Sequence, residues 1–265
     1  MEQDTSIGER VERTIDELGE VALPGPPPVH LIGQLDQLPR SGKLVRIEKY
    51  ALGLPVQSVG DHVRALGSLA DVLQDQADLS DTDEALLADC IVFHDFAEVL
   101  TGDPPDYTPE TLTAGILVAG ALESETEANA VIASALPTEM RQRFEASIQV
   151  LENSENPVTE FFQMVDKAEP ILSIWRYLHA FHDRIEIDRF IEAMDDFFTN
   201  PRTLQKSISA QVTEALIFFL SADNARSYYA NGIDGLHLEP SSLGHTLLSR
   251  FIEHVPMRFI RTKVG

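Results

Sequence analysis

Apolar residues recur at helical spacing along most of this chain, whereas the strict apolar–polar alternation of a half-buried strand is almost absent. The helical pattern covers approximately residues 5–20, 31–38, 58–77, 83–101, 110–122, 125–135, 138–152, 157–180, 188–199, 202–221 and 240–254. Only residues 258–264 have a weak strand-like pattern, and neither internal repeats nor strand–helix–strand alternation is present. We therefore expect an all-α protein.

Helix caps and prolines set the expected boundaries. Ser58 is suited to cap the helix that follows it, and Asp81 or Thr82 is expected to cap the next one. The proline-rich residues 23–28 cannot form a helix and predict a stiff connector. The expected organisation is an acidic helix with its connector at 1–28, a main helical domain at 29–185, and a C-terminal helical extension packed on it at 186–265.

The formal net charge of -23 restricts the partners of this chain. Such an acidic surface repels duplex DNA, RNA and anionic membranes, and no run of lysine and arginine provides a local exception. A small phosphate ester is still a suitable ligand, because a bound metal and one or two arginines dominate the field inside a site. We therefore expect neither a nucleic-acid partner nor a membrane partner.

Cys90 is the single cysteine of the sequence, so no internal disulfide can form, which fits a reducing cytoplasm. It is interpreted as a core thiol, because a free cysteine is usually a small buried hydrophobic residue. The acidic N-terminal region lacks the apolar core of a signal peptide, and no stretch approaches the roughly 20 apolar residues of a membrane span. The expected location is the cytoplasm.

The run Phe-His-Asp-Phe-Ala-Glu-Val-Leu-Thr-Gly-Asp gathers several metal-binding and acid–base side chains in one place. On a continuous helix His94, Asp95 and Glu98 would share a face, because residues three or four apart are neighbours there. Gly102 is expected to end that helix and to turn Asp103 back towards the same region. This run predicts a polar site built into an otherwise apolar segment.

Two further residues extend the pattern. His62 lies near the start of the preceding amphipathic helix, and Asp166 lies among apolar residues in the helix at 157–180. Together with His94 and Asp95 they form a mixed nitrogen and oxygen set that suits Mn, Fe, Co, Ni or Zn. A second His-Asp pair, at 182–183, ends a predicted helix and is interpreted as a polar helix terminus.

The order His … His-Asp … Asp resembles that of the HD-domain metal-dependent phosphohydrolases, and residues 35–180 carry the resemblance. The Glu-Val-Leu-Thr-Gly-Asp run at 98–103 is similar to the 5'-deoxynucleotidase branch of that superfamily. The resemblance implies an HD-domain helical bundle, here with additional C-terminal helices. It also implies a metal-dependent phosphohydrolase.

The resemblance also assigns roles to residues. In the family two histidines and two aspartates hold the catalytic divalent ion, and the matching residues here are His62, His94, Asp95 and Asp166. Glu98 matches a glutamate that acts as an acid or base or orients water. In some family members this glutamate and the aspartate of the Gly-Asp pair hold an auxiliary Mg²⁺ instead.

Substrate contacts are implied in the same way. Asp103 matches the Gly-Asp aspartate, which contacts the sugar or helps the nucleophile. Arg40 begins an Arg-Ser-Gly sequence that fits the family's Arg-x-Gly-Trp, whose arginine contacts phosphate, and Arg46 is the alternative. Lys43 stands where the family usually has the tryptophan. A lysine there could add positive charge and favour more highly phosphorylated substrates.

The expected activity is removal of phosphate from a deoxynucleoside 5'-monophosphate or a similar small nucleotide. One alternative is a deoxynucleoside triphosphate triphosphohydrolase with the same site. Another is a non-catalytic protein that retains the metal and uses its acidic C-terminal half as a partner surface, although the presence of Glu98 and Asp103 argues against it. A third, an HD-type oxygenase with two irons, requires additional ligands, and no extra histidine accompanies the core motif.

The C-terminal part has no counterpart in the resemblance. Residues after about 185 could be extra bundle helices, a dimer surface or a specificity element. We expect the protein to form a homodimer.

Overall fold

The computed structural model describes residues 5–24, 28–40, 52–102, 125–194, 198 and 209–260. The first half contains α1 (Ile7–Glu17), β1 (Ala22–Leu23), β2 (Val29–His30), α2 (Leu31–Leu35), α3 (Val59–Leu73), α4 (Asp81–Phe93) and α5 (Glu98–Thr101). The second half contains α6 (Glu125–Ala135), α7 (Thr138–Leu151), α8 (Pro157–Ala180), α9 (Ile187–Ala193), α10 (Ala210–Phe219), α11 (Ala222–Asn231) and α12 (Leu243–Thr246), followed by π-helical turns at Leu247–Ile252. The predicted all-α class is confirmed, because the only sheet among these residues is the two-stranded pair β1–β2.

Helix α8 lies at the centre of the fold. Asn156 caps its first turn by accepting a hydrogen bond from the Val158 amide, and Pro157 occupies the first helical position, where its missing N–H costs nothing. Most of its side chains are buried, including Trp175, which donates a hydrogen bond to the Phe219 carbonyl at 2.8 Å. It packs against α3, α4, α7 and α10. Burial of most of its side chains makes α8 a rigid support for any polar side chain that it carries.

Helices α1, α3 and α4 form the other part of the core. Ser6 and Glu9 form a capping box at the start of α1, and the buried Ile7, Val11 and Ile15 form its apolar stripe. This stripe packs on α3 and α4, which in turn contact α8. The expected N-cap of α3 is confirmed, since the Ser58 side chain accepts a hydrogen bond from the Asp61 amide. The core thus places the start of α3 and the end of α4 beside α8.

The expected single helix over residues 83–101 is wrong. Helix α4 ends at Phe93, residues 94–97 form turns, and a new short helix starts at Glu98. The amides of Phe96 and Glu98 donate to carbonyls three residues earlier, so the chain tightens here instead of continuing as an α-helix. The helix begins with a capping box of Ser80 and Asp83, and the expected caps at 81 or 82 are wrong by one or two residues.

Three other regions can be compared with the expected elements. The residues flanking the proline-rich connector pair as the antiparallel hairpin β1–β2, which the sequence pattern did not indicate. Helix α11 (Ala222–Asn231) lies between two predicted helices and was also missed. The second His-Asp pair forms a 3₁₀ turn after α8 in which both side chains are at least half exposed, in agreement with a polar helix terminus.

The C-terminal elements pack onto the core. Helix α10 and the π-helical turns contact α8, and the π-helical turns also contact α3. The chain then runs back along the start of α3, where Phe259 forms a β-bridge with Gln57 and the Ile260 amide donates to the Val56 carbonyl at 3.0 Å. No helix within the described residues is long and apolar enough to cross a membrane.

Candidate metal centre

His62 lies on the first full turn of α3 and is buried, with a side-chain exposure of 2%. Its Nδ1 lies 2.9 Å from Oε2 of Glu169, a buried carboxylate on α8. Its Nε2 lies 3.6 Å from Asp166 Oδ1 and 3.7 Å from Asp95 Oδ2. Nδ1 of His62 is therefore within hydrogen-bond distance of Glu169, and Nε2 faces Asp95 and Asp166, the two aspartates that the sequence pattern identified.

His94 and Asp95 lie at the break that follows α4. The Nδ1 of His94 is 2.8 Å from the Ile91 carbonyl, an acceptor, so this nitrogen carries the hydrogen. Its Nε2 is buried and lacks a hydrogen-bond partner among the described residues, although Asp95 Oδ2 is 3.0 Å away. Phe162 packs edge-on against the imidazole, with ring centroids 5.0 Å apart. A buried nitrogen with a free lone pair is suited to bind a metal ion.

Asp166 reaches the same place from α8. Its side chain is 20% exposed and its second oxygen pairs with the exposed Lys167 at 2.9 Å. Pro170 lies four residues later in the helix and has no amide hydrogen to donate to the Asp166 carbonyl. The aspartate thus lies on a buried helix at a position where the regular backbone bonding is interrupted.

The geometry of these side chains fits a divalent ion. One candidate ligand atom from each of His62, His94 and Asp166 lies within 4.8 Å of the other two. Nitrogen and oxygen ligands bind first-row ions at about 2.0–2.2 Å, so ligand atoms around one ion lie roughly 3–4 Å apart. Asp95 contacts both imidazoles and could supply a second carboxylate. The four residues that the sequence pattern connects are therefore close together, and three of them could hold a metal ion as they stand.

The metal-free cluster has strongly perturbed protonation. Burial acts to lower the pKa of His62, as does the Arg40 guanidinium, but the carboxylates of Glu169 and Asp166 outweigh both and raise this pKa to about 9. Burial acts to raise the pKa of Asp166, but the neighbouring His62 imidazole and the charge of Lys167 hold it below its usual range. A protonated imidazole therefore lies among ionised carboxylates, and a divalent cation would replace that proton.

Arg40 lies at the edge of the cluster. Residues 38–40 pair with residues 57–59 through the Pro39–Ser58 bridge and the hydrogen bond from the Arg40 amide to the Gln57 carbonyl. This pairing brings the guanidinium to Glu169, where Nη1 lies 2.5 Å from Oε2 and the side chain keeps 18% exposure. Burial opposes the charge, but Glu169, with smaller contributions from Asp95 and Asp166, holds the pKa of Arg40 above its usual value.

A buried polar network supports the cluster, and the sequence pattern did not identify it. Glu169 and Arg176 on α8 and Asp61 on α3 are each at most 1% exposed. Arg176 Nη1 lies 3.6 Å from both Asp61 Oδ2 and Glu169 Oε1. Asp166, Glu169, Ser173 and Arg176 are spaced three, four and three residues apart. This spacing puts them on one stripe of an otherwise apolar helix, a signal that was available from the sequence.

Of the other predicted site residues, the structure describes Glu98 but not Asp103, Lys43 or Arg46. Glu98 is the first residue of α5, half-buried, and its amide donates to the Asp95 carbonyl at 3.0 Å. Gly102 ends α5 as expected, with φ 77°. Asp103, Lys43 and Arg46 lie outside the described residues.

Comparison with known families is consistent with this geometry. A model of the HD domain family matches residues 38–204, which include all four proposed ligands and the buried network of Asp61, Glu169 and Arg176. No curated protein matches the chain. HD domains bind divalent metals, and the match indicates a metal-dependent hydrolase, with a cluster of His62, His94 and Asp166 that could hold the ion. Since the match covers well over half of the sequence, this chain belongs to the HD domain family.

Proposed function

We propose that the protein is a metal-dependent phosphohydrolase that removes phosphate from a deoxynucleoside 5'-monophosphate. The observation that carries the proposal is the convergence of His62, His94 and Asp166 at one point, with Arg40 beside them. The Glu-Val-Leu-Thr-Gly-Asp run at 98–103 supports the choice of substrate through its similarity to the 5'-deoxynucleotidase branch.

Each residue of the site has a separate role in the proposed reaction. His62, His94, Asp95 and Asp166 would hold the divalent ion, which supplies charge to offset the phosphate and makes water more acidic. Arg40 lies at the edge of this cluster, where a guanidinium can contact phosphate oxygens. Glu98 would donate or accept the proton and Asp103 would contact the sugar. The net charge of -23 favours a single phosphate over a polyanion.

The substrate assignment is tested with a panel of deoxynucleoside and ribonucleoside mono- and triphosphates. The protein is loaded separately with Co²⁺, Mn²⁺, Ni²⁺, Fe²⁺ or Zn²⁺, and the products are separated by chromatography. Release of inorganic phosphate from deoxynucleoside monophosphates is the expected result. Release of triphosphate would instead favour the triphosphohydrolase, an alternative that Lys43 in place of the usual tryptophan supports. Metal binding without turnover of any substrate would leave the non-catalytic alternative.

The role of Glu98 is tested by Glu98→Gln. This variant keeps the size of the side chain but cannot exchange a proton, so turnover should fall on the order of 10²-fold or more. The affinity for Co²⁺ should stay close to that of the parent, because Glu98 lies outside the cluster of His62, His94 and Asp166. Unchanged turnover would assign Glu98 a structural role.

Arg40→Ala tests the phosphate contact. Loss of a charge-assisted hydrogen bond should raise the activation free energy by about 1.5–3 kcal/mol, which lowers kcat/KM roughly ten- to a hundredfold. The control is Arg141→Ala on α7, because Arg141 donates to the Ser134 and Leu136 carbonyls and takes no part in the cluster. If Arg40→Ala retains parental kcat/KM and Arg46→Ala does not, Arg46 is the phosphate contact. Hydrolysis of oligonucleotides would contradict the small-substrate assignment.

A further inference from the structure

Glu169 is a fully buried carboxylate that no part of the proposed reaction uses. Its Oε2 accepts a hydrogen bond from Arg40 Nη1 at 2.5 Å and lies 2.9 Å from His62 Nδ1. Its Oε1 accepts a hydrogen bond from the Ser173 hydroxyl and lies 3.6 Å from Arg176 Nη1. A buried charge is tolerated when it has this many partners, and two guanidinium groups already compensate it.

The contact with His62 determines which ring nitrogen can bind a metal. An ionised carboxylate only accepts hydrogen bonds, so Nδ1 of His62 must carry the hydrogen that points at Glu169. The lone pair of a neutral ring is then on Nε2, the nitrogen that faces Asp95 and Asp166. His94 is held the same way by the Ile91 carbonyl, but that acceptor carries no charge.

We propose that Glu169 is a positioning residue of the metal centre, which fixes the His62 ring with Nε2 directed at Asp95 and Asp166. Arg40 and Arg176 hold the carboxylate in turn. The inference rests on the proposed metal site but not on the proposed substrate. Glu169 itself touches neither substrate nor metal, and it acts through the orientation and basicity of His62.

The test is the Co²⁺ affinity of Glu169→Gln, measured by competition with a chromophoric chelator. Glutamine keeps the size and a carbonyl acceptor but removes the charge. Removal of a partner that orients a metal-binding histidine typically costs 10–100-fold in affinity, and we expect a loss in that range. The Co²⁺ absorption band in the visible region should also shift, because the orientation of one imidazole ligand changes.

The matched control is Asp89→Asn. Asp89 is 7% exposed on α4 and pairs with Arg143 at 2.6 Å, so its loss also disrupts a partly buried ion pair. Its partner among the described residues is Arg143, which lies outside the cluster and joins Asp89 to α1. Both variants are measured well below their melting temperatures. Equal Co²⁺ affinity in Glu169→Gln and the parent overturns the inference, and so does an equal loss of affinity in Asp89→Asn.

A measurement on the unchanged protein covers the case in which Glu169→Gln does not fold. In the Zn²⁺-loaded parent, long-range proton–nitrogen NMR correlations should show a hydrogen on Nδ1 of His62 and none on Nε2. A hydrogen on Nε2 overturns the inference, as does a parent protein that binds neither Co²⁺ nor Zn²⁺. None of these measurements uses a nucleotide, so failure of the substrate panel alone leaves the role of Glu169 intact.

Discussion

At the scale of single residues, the carboxylates around His62 stabilise the folded, metal-free protein by favouring the protonated form of this histidine. Its pKa is raised to about 9, because Glu169 and Asp166 outweigh burial and the charge of Arg40. A group with a raised pKa binds its proton more tightly in the folded state than in the unfolded state, where the pKa is about 6.5. Its stabilising contribution is complete below pH 6.5 and is lost as the pH rises through 9.

This sign gives a prediction for the metal-free protein. After treatment with EDTA, the free energy of unfolding should fall between pH 6.5 and pH 9.5, by on the order of 3 kcal/mol from this group. His62→Gln cannot titrate in this range, so its stability should change less over the same interval. Denaturant unfolding of both proteins at constant ionic strength measures the difference. A decrease of the same size in the variant would mean that other groups cause it.

Burial also shifts the pKa of Cys90, which was interpreted from the sequence as a core thiol. It is fully buried on α4, where burial and the neighbouring Asp89 charge raise its thiol pKa to about 12. A thiol with this pKa is almost entirely protonated at neutral pH, so it is a poor nucleophile and a poor metal ligand. This is consistent with a packing role in the core.

At the scale of elements, the site depends on where helices begin and end. Helix α3 begins three residues before His62, α4 ends one residue before His94, and α5 connects Glu98 to Gly102. Among the described elements, α8 alone continues through the site as one helix, and it carries the acids Asp166 and Glu169. Helix termini thus supply the two imidazoles, while the buried helix supplies Asp166, Glu169 and the counter-charge Arg176.

Gly102 provides a test at this scale. Its φ of 77° and ψ of 168° belong to a region that is accessible almost only to glycine, so Gly102→Ala should cost about 1–3 kcal/mol of stability. Among the described residues no atom lies within 4 Å of the added Cβ position, so the cost expected there is backbone strain and not a clash. Because this turn leads from Glu98 to Asp103, turnover should fall as well.

Gly232→Ala is the matched control. Gly232 ends α11 with φ 63° and ψ -153°, and no atom of the described part of the chain lies within 4 Å of its Cβ position either. It should lose similar stability in thermal unfolding and keep parental turnover at a temperature where both variants are folded. Equal losses of turnover in the two variants would show that general destabilisation, and not the turn at Gly102, lowers activity.

At the scale of the whole molecule, the C-terminal segment belongs to the support of the metal centre, although it lies beyond the residues that the family match covers. The Arg258 amide donates to Asp61 Oδ1 at 2.5 Å, and the Pro256 carbonyl accepts from Arg176 Nη2 at 3.0 Å. The Arg176 guanidinium also lies over the Phe251 ring, 5.2 Å from its centroid. The segment therefore contributes hydrogen bonds to two buried charges that adjoin Glu169.

Replacing the amide of residue 258 tests this dependence. Arg258→Pro removes the N–H that donates to Asp61 and leaves a buried carboxylate short of a donor, which should cost about 1–3 kcal/mol in the free energy of unfolding. Arg258→Ala keeps the amide and removes a side chain that is 54% exposed, so it should change stability little. Equal stability of the two variants, measured by denaturant unfolding, would mean that the hydrogen bond to Asp61 contributes nothing.

The helical class, the bounds of α8 and the cap of α3 could be predicted because they depend on local signals. Apolar periodicity and a capping serine act within a few residues, and they are present in the chain before any tertiary contact forms. The ordered set of His62, His94, Asp95 and Asp166 was also visible, because its members are chemically unusual on apolar helices.

Tertiary structure alone decided the break after Phe93 and the partners of the buried charges. Turns at residues 94–97 replace the expected helix although the local pattern favours one. Arg40 and Glu169 are 129 residues apart, and Asp61 and the Arg258 amide are 197 residues apart. A charge can be buried only where the fold brings it a partner, and no periodicity within one segment specifies a partner so distant in the chain.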